Sequence, residues 1–565
     1  MVLKATSIHT NFLSSGEKYN TADAVEEADS AAAAVAKDAS NLPEGAKEGN
    51  IILVMWDGDD DPTNPMNWSL TRKWITTALL CSMCLFIGLA TAAYSTGIGP
   101  MTDELGVSTE VGQVGMLLFN GAFSIVPLFL GPMSEFVGRN PVYLGCYALF
   151  TVWFIPLALA KNIQTVLVAR FLSGAFGAAG TTIIPGTLAD IWKTKDRGVP
   201  VALFSLVAVA GTVGAPLYCG YILQEKGWRW IEWVQLIVNG AVLVLELLLL
   251  RETRGSVLLA KKAKKLRKET GDMRYRAPSE LEAPSLKALL HASTTRAALL
   301  LVREPVVFFF SLYIAYAWAL IFALFAAIPL VFQGLHGWGV GNGGLAYVGP
   351  LIACFIAFGF SFHGKHLYDK AQRENGGVAV PEARLYYAAV GGILGTIGMF
   401  IFAFTSYEHV HWIGPEVGLV CLVVSIYWIF ESVQNYLADA YGEYASSAIS
   451  AQGFVRNALA ASFPLFSTQL FKNLTIPYAG LLLACLLGLA IPLPFILIRY
   501  GERIRASSKY AASNTGLGGE DSEPEGPVMG ARKEVEKKST PTSGSVTRAA
   551  SPVTLEEEKK VVEKA

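Results

Sequence analysis

Charged residues are scarce in this chain. Asp, Glu, Lys and Arg make up 16% of its 565 residues, where a soluble chain carries roughly 25%, so most of the protein is expected to sit in lipid. Histidine is sparse too, and His363, His366, His409 and His411 fall in loops or at the ends of apolar runs. A polytopic enzyme needs a nucleophile with its base, or a His and Asp cluster, inside its spans. No histidine lies well inside any of them, and the chain is not expected to be an enzyme. No G-x-x-x-x-G-K-[ST] loop occurs, which argues against an ATP-driven pump. All seven cysteines lie inside apolar runs, which excludes an extracellular disulfide framework and a zinc site with polar ligands. Cys81 and Cys84 form a C-x-x-C but are read as small packing residues. No metal and no cofactor are expected. The first fifty residues hold no apolar h-region, so no cleavable signal peptide is expected and the amino terminus is assigned to the cytosol. A net charge of -1 lends nucleic acid binding no support.

What the chain has in quantity is apolar length. Mean hydropathy is +0.41, and twelve apolar stretches, from Trp74–Tyr94 to Pro477–Ile498, are each long enough to cross a bilayer. A helical crossing takes roughly 20 residues and keeps every backbone amide and carbonyl bonded internally. The stretches fall into two sets of six around a polar loop, Arg251 to Glu304, that carries thirteen Lys and Arg. The expected class is an all-α polytopic membrane protein of two six-helix bundles. Its parts are a disordered amino-terminal tail (1–70), a first bundle (71–250), a basic cytosolic linker (251–304), a second bundle (305–500) and a disordered carboxyl tail (501–565). Lys and Arg flanking spans stay in the cytosol. Arg139, Lys193, Lys365, Arg384 and Arg499 share the linker's face, while the opposite loops hold Asp103, Glu104, Glu110 and Glu408. Both termini are thereby placed inside. Asn473-Leu474-Thr475 matches a glycosylation sequon on the outer face, in a loop so short that modification is not expected. Thr540-Pro541 and Ser551-Pro552 in the tail are candidate phosphorylation positions, with an inert tail the plainer reading.

At the second cytoplasmic corner stand Gly131, Ser134, Glu135, Gly138 and Arg139, followed by Asn140 and Pro141. The two glycines permit a tight turn, and Glu135 and Arg139 put opposite charges at a helix end. Such a corner locks one conformation and releases it when the bundles rock. In the fourth run Arg170 is followed by Gly174, Gly177 and Gly180; the fifth holds Gly211, Gly214, Pro216 and Gly220. A proline among glycines in mid-helix makes a kinkable seam. The corner resembles the G-x-x-[SD]-[DE]-x-x-G-R-[KR] loop of the major facilitator superfamily, with Asn140 in place of a basic residue. The fifth run resembles the family's G-x-x-x-G-P-x-x-G-G motif, associated with proton-coupled antiporters, with Ala215 and Cys219 where glycine is preferred. Further segments, among them Asp61 to Ser69, Gly227 to Trp230, Glu252 to Gly255, Pro381 to Leu385 and Tyr436 to Tyr441, resemble the fungal twelve-span drug:proton antiporter branch. The resemblance extends from about Asp61 to Arg505. It implies the major facilitator fold, alternating access, and proton-driven export of drugs, secondary metabolites or other small organic compounds. The proton gradient is then the driving force, the bilayer and the organic solute are the partners, and the monomer is the functional unit. The implied location is the plasma membrane, with the vacuolar membrane as the alternative.

An ionisable side chain inside lipid is costly unless it faces a cavity or a partner. Arg170, Glu431 and Arg456, with Asp190 at the inner end of the fourth run, are the candidates for proton coupling. Glu431 and Arg456 lie in the inner halves of neighbouring antiparallel helices and are placed to pair, so that their separation lets the carboxylate take up a proton. A permanent ion pair is the structural alternative, as snorkelling is for Arg170. Asp190 and Glu232 also read as solvated helix ends, and Glu246 as a snorkelling residue. Asn120, Tyr218, Tyr313, Tyr316, Gln434 and Asn435 are the candidates for the substrate cavity, since a wide apolar pocket with a few polar groups suits amphipathic solutes. The first run holds no carboxylate, which favours neutral or weakly acidic compounds over polyamines. A polyamine or organic-acid carrier of the same fold and a polytopic membrane sensor are the alternatives.

Overall fold

The computed structural model describes residues 51–511 apart from 59, 194–195, 283–285 and 509. Thr540, Ser551 and most of both tails lie outside the described residues. Among the described residues, ten helices are long and apolar enough to cross a bilayer, and the bent pair Thr109–Ile125 and Pro127–Val137, 46° apart, adds an eleventh crossing. The bend falls at Pro127, which has no N–H to continue the upstream helix. The remaining predicted crossing is the 29-residue helix Ala445–Asn473, about 43 Å long at 1.5 Å per residue. Its composition is less apolar because Gln452 and Asn457 are turned inward, both buried.

The first crossing runs over Leu70–Leu105, longer than predicted, from a Ser69 cap to Gly106 at φ 66. The third to sixth are Arg139–Ala158, Ile163–Ile191, Gly198–Lys226 and Trp228–Leu249. The second half continues with Pro305–Leu335, Val340–Glu374, Pro381–Thr405, Ile413–Tyr441, the helix Ala445–Asn473 and Ile476–Ser507. The first span packs on the fifth and the third on the sixth; six spans later, the seventh packs on the eleventh and the ninth on the twelfth. This repeat defines the two bundles. They meet along two seams that exchange under the repeat, the second span against the eleventh and the fifth against the eighth.

Close backbone approach sets the helix spacing inside each bundle. A Cβ on Gly174 would lie 2.5 Å from the Phe119 carbonyl oxygen and 2.8 Å from its Cα, so the second and fourth spans touch backbone to backbone. Gly88 and Gly211 bring the first and fifth spans together in the same way. Small residues are the usual means of tight helix association in lipid, where burial of apolar surface supplies no driving force between helices.

Two expectations about the connecting segments are corrected. The linker is largely helical, with Gly255–Thr270, Pro278–Glu282 and Leu286–Arg303. The predicted amino-terminal tail is ordered from residue 51: strand β1, Ile52–Leu53, pairs in parallel with β2, Tyr275–Arg276, in the linker. Val54, Leu259, Ala263 and Ala277 form a small core beneath them. Lys262 bonds Asp57 at 2.7 Å and lies 3.8 Å from Asp61. The Thr63 hydroxyl, with the backbone N–H groups of Asp57 and Thr63, holds the Asp61 carboxyl down at about 2. At the other end, Ser508 donates to Glu304 at 2.8 Å and Tyr510 meets Tyr444 edge-on, so the carboxyl segment is ordered past residue 501. The linker thus packs on residues 52–61 near its start and on the second and eleventh spans through Leu286–Arg303, and its last residue, Glu304, is held by Ser508.

Candidate functional site

The corner between the second and third spans is built around Arg139. Gly138 adopts φ 114, a conformation that glycine alone takes without strain, and this turns the chain into the third span at Arg139. The new helix end leaves free N–H groups, and the Glu252 carboxylate from the end of the sixth span caps them, accepting from Arg139 N at 3.0 Å and Asn140 N at 3.3 Å. The Arg139 side chain is buried. Its Nε donates to Asp190 at 3.0 Å and its Nη1 to Ser134 Oγ at 2.7 Å, while Ser134 Oγ donates to the Gly131 carbonyl at 2.7 Å. Arg254, the second residue of the linker to reach this corner, donates to the other Asp190 oxygen at 3.2 Å.

This geometry corrects several readings. Glu135 is not the main acid of the latch: it sits 3.8 Å from Arg139 and is half-exposed, where a pair contributes little. Asp190 is not a solvated helix end but is held between two guanidinium groups. Gly131 is not a turn residue, since it lies inside a helix and a Cβ there would meet nothing within 4 Å; its contribution is the carbonyl. Glu252 was quoted in a motif without a role, and only the folded chain shows it as the cap. In place of the usual basic residue, Asn140 leaves its Oδ1 buried with no hydrogen-bond partner among the described residues.

The second bundle repeats the latch. Arg384 donates to Asp439 at 2.8 Å and lies 3.4 Å over the Tyr368 ring. Beside it, Arg505 holds Glu382 through two bonds of 2.8 and 2.9 Å. Bidentate geometry of this kind is what a planar guanidinium matches best.

The fifth-span motif lies on both of that helix's contacts. Gly211 faces Leu85 and Gly88 of the first span, whereas Pro216 and Gly220 face Gly344 and Val340 of the eighth. The helix is unbroken through Pro216. Here the bundles are also tied by hydrogen bonds: Gln224 accepts from Gly341 N at 3.2 Å and Tyr221 donates to Asn342 at 3.2 Å. Toward the inner end of this side, Tyr427 of the tenth span donates to Ala202 O at 3.1 Å; along the other seam, second span to eleventh, Ser124 donates to Phe454 O at 2.8 Å and Asn457 to Phe123 O at 3.0 Å. Gln113 and Thr468 close the outer end of the other seam at 3.0 Å.

Arg170 is fully buried, which removes snorkelling as its explanation. Its guanidinium lies between the rings of Tyr94 (4.3 Å) and Phe119 (4.2 Å) and donates to Ala90 O at 3.4 Å; among the described residues its Nε and Nη2 have no hydrogen-bond partner. Stacking on two ring faces offsets part of the cost of burying the charge.

Glu431 and Arg456 do not pair. Successive residues on a helix point about 100° apart, and it is Phe430 that faces Arg456, at 5.2 Å, while Glu431 turns to the eighth span and accepts from Ser361 Oγ at 2.6 Å. Arg456 also lies 5.0 Å over Trp318 and donates to Asn457 at 3.3 Å.

The cavity candidates separate. Tyr313 donates to Ala388 O at 3.1 Å and Tyr316 to Leu483 O at 2.9 Å, so both hydroxyls tie the second bundle together instead of facing solute. Asn120 bonds Met116 O on its own helix at 3.0 Å, and Tyr218 accepts from Gln235 at 2.7 Å. Gln434 and Asn435 are half-buried, and Gln434 Oε1 has no hydrogen-bond partner among the described residues. Asn473 is exposed at the end of the eleventh helix. Glu232 and Glu246, read as peripheral, are both buried.

A sequence profile of the Major Facilitator Superfamily matches residues 78–464. An MFS-type transporter of Penicillium rubens, paaT, is 36% identical over 457 residues, covering 80% of this chain and 83% of that protein. A major facilitator superfamily multidrug transporter of Aspergillus fumigatus, mdrA, is 34% identical over 469 residues, covering 82% and 76%. Efflux pump bik6 of Gibberella fujikuroi is 33% identical over 474 residues, covering 84% and 97%. Among solved structures, the proton:xylose symporter XylE bound to 6-bromo-6-deoxy-D-glucose superposes with a TM-score of 0.56 at 17% identity, over 77% of this chain and 96% of that one.

Proposed function

Because this chain belongs to the major facilitator superfamily and is a secondary transporter, we propose that it exports neutral or weakly acidic organic compounds from the cytosol in exchange for protons. The names of its fungal relatives, an efflux pump and a multidrug transporter among them, support export. The observation that carries the substrate class is Arg456. Its guanidinium lies in an aromatic setting of Trp318 and Phe430, beside the seam residue Asn457 and within electrostatic reach of Cys84 in the first span. Among the described residues no carboxylate lies within ion-pair distance of it. A stacked, unneutralised cation between the bundles suits a flat organic solute that offers an acceptor or a weak acid. The plasma membrane is the proposed location.

Transport of a panel of neutral drugs, organic acids and polyamines into proteoliposomes, with and without a proton gradient, tests this reading. Accumulation that collapses with an uncoupler is expected. Accumulation that ignores the uncoupler overturns antiport, and transport confined to polyamines overturns the substrate class. Glu431 is proposed as one proton carrier, because it is linked through Ser361 and Tyr427 to the fifth span of the other bundle. Glu431→Gln, which stays neutral in every state, is expected to lose uphill accumulation and keep downhill exchange. Normal accumulation by the variant would remove the residue from coupling.

A further inference from the structure

The sixth span is polar on the side it buries. Trp228, Ile231, Glu232, Gln235, Asn239, Val242 and Glu246 face inward, while Ile237, Val244, Leu247 and Leu248 face outward and are exposed. Four of the buried residues, at 232, 235, 239 and 246, repeat at helical spacing on one stripe. Three hydrogen-bonding steps run along it: Tyr147 of the third span donates to Asn239 at 2.7 Å, Asn239 donates to the Gln235 carbonyl at 2.8 Å and to its side-chain oxygen at 3.2 Å, and Gln235 donates to Tyr218 of the fifth span at 2.7 Å. At one end, Glu232 is within electrostatic reach of Arg170, Tyr94 and Tyr218. At the other, Glu246 is buried, and neither of its carboxyl oxygens has a hydrogen-bond partner among the described residues.

An ionised carboxylate without a hydrogen bond or a counter-charge is not tolerated in such a place. Among the described residues, Tyr143 and Tyr147 of the third span are the titratable groups within electrostatic reach of Glu246. Beyond Tyr143, whose hydroxyl bonds Thr187 at 2.8 Å, lie Asp190 of the fourth span and Arg139 of the latch. Glu252 and Arg254, which complete that latch, follow Glu246 by six and eight residues in the chain. The buried acid thus lies on the same span whose inner end is joined to the third and fourth spans through the Glu252 and Arg254 contacts of the latch.

We propose that Glu246 is a proton-carrying residue of the first bundle, neutral while the Arg139–Asp190 latch is closed and ionised to cytosolic water when it opens. One proton leaves a carboxyl oxygen for cytosolic water, and the carboxylate later takes one back from hydronium in water admitted from the side of Glu232, so that only the Glu246 O–H bond is broken and re-formed. The inference rests on the antiport reading but places a carrier outside the seam between the bundles, where Glu431 and Arg456 lie.

Infrared spectroscopy of the purified full-length protein reads this without any transported compound. At neutral pH the wild type is expected to show a protonated-carboxyl C=O band that is missing in Glu246→Gln, which assigns it, and missing in Arg139→Ala, whose latch is open. No difference between wild type and Glu246→Gln overturns the proposal, and so does a band that survives in Arg139→Ala, because a merely structural neutral acid would ignore the latch. If Glu246→Gln aggregates, Glu246→Asp takes its place, with a shifted band and a shifted pH midpoint of coupled transport expected; an unchanged midpoint counts against the proposal. In proteoliposomes monitored with an internal pH dye, Glu246→Gln is expected to lose proton movement linked to the panel compound the wild type carries. A coupled wild type with an equally coupled Glu246→Gln overturns this inference alone, whereas an uncoupled wild type overturns antiport and this role with it.

Discussion

Arg139→Ala is expected to reach the membrane, to bind detergent as a folded monodisperse protein, and to lose uphill transport by at least about tenfold, the scale on which conformational coupling is usually felt. Arg139 is buried and makes one bond to Asp190, one to Ser134 and, through its own backbone, one to Glu252. Removing one member of a buried ion pair typically costs about 3–5 kcal/mol. Here that figure is an upper bound, since Asp190 keeps Arg254. The loss falls on one conformation, because the cluster joins the inner ends of the second, third, fourth and sixth spans into one platform. The linker helix Leu286–Arg303 rests on that platform and reaches across to the eleventh helix. Glu135→Gln is the matched control: its 3.8 Å contact is half-exposed, and its loss is expected to change stability by less than about 1 kcal/mol. Transport rates for the pair of variants, normalised to folded protein, check the ranking, and equal rates would contradict it.

The second large effect is expected at Gly174. A methyl group there would meet Phe119 backbone atoms at 2.5 to 3.0 Å, and backbone does not rotate away as a side chain does. Overpacking costs about 1–3 kcal/mol in an ordinary core, and a contact made wholly of backbone sits at the upper end of that range. Phe119 also carries one of the two rings that hold Arg170, so separating the helices unstacks a fully buried charge. Gly174→Ala is expected to lower the thermal midpoint in detergent by several degrees and to depress transport, and Gly174→Leu to prevent recovery of folded protein. Gly131→Ala is expected to behave as wild type, because the space beside Gly131 is open. A wild-type midpoint for Gly174→Ala would show that the second and fourth spans are not in backbone contact.

Much of the architecture is legible in the sequence because lipid imposes it. Apolar length marks the crossings, and the basic linker divides them six and six. The helix Ala445–Asn473 is instructive: its Gln452, Arg456 and Asn457 weaken the apolar signal while its neighbours and length preserve it. The parts of the site that a motif carries locally lie close in the fold, with Arg139 2.7 Å from Ser134 across the turn at Gly138. What the motif could not reveal is which carboxylates answer Arg139, since Asp190 and Glu252 arrive from 51 and 113 residues away. The pairing of Glu431 with Arg456 failed for a related reason. Position along the axis placed them together, but the direction of each side chain around its helix sent them to different neighbours. The stripe from Glu232 to Glu246 was present in the sequence as a spacing of three, four and seven residues. Each acid by itself stands near a helix end, where snorkelling is the ordinary outcome, so the spacing alone does not show that the stripe is buried.

The central claim is that two bundles exchange access to the membrane's two sides under control of the latch. Distances between paired spin labels test it most directly. One pair belongs on Asp196 and Lys365 at the inner end of the fifth–eighth seam, the other on Glu110 and Lys472 at the outer end of the second–eleventh seam, with Cys421 and Cys485 replaced. All four label positions are exposed. Opening the latch by Arg139→Ala is expected to lengthen the inner distance and shorten the outer one, and acidification of the wild type to do the reverse. Two distances that lengthen together, or that stay fixed in both conditions, would contradict alternating access in this protein.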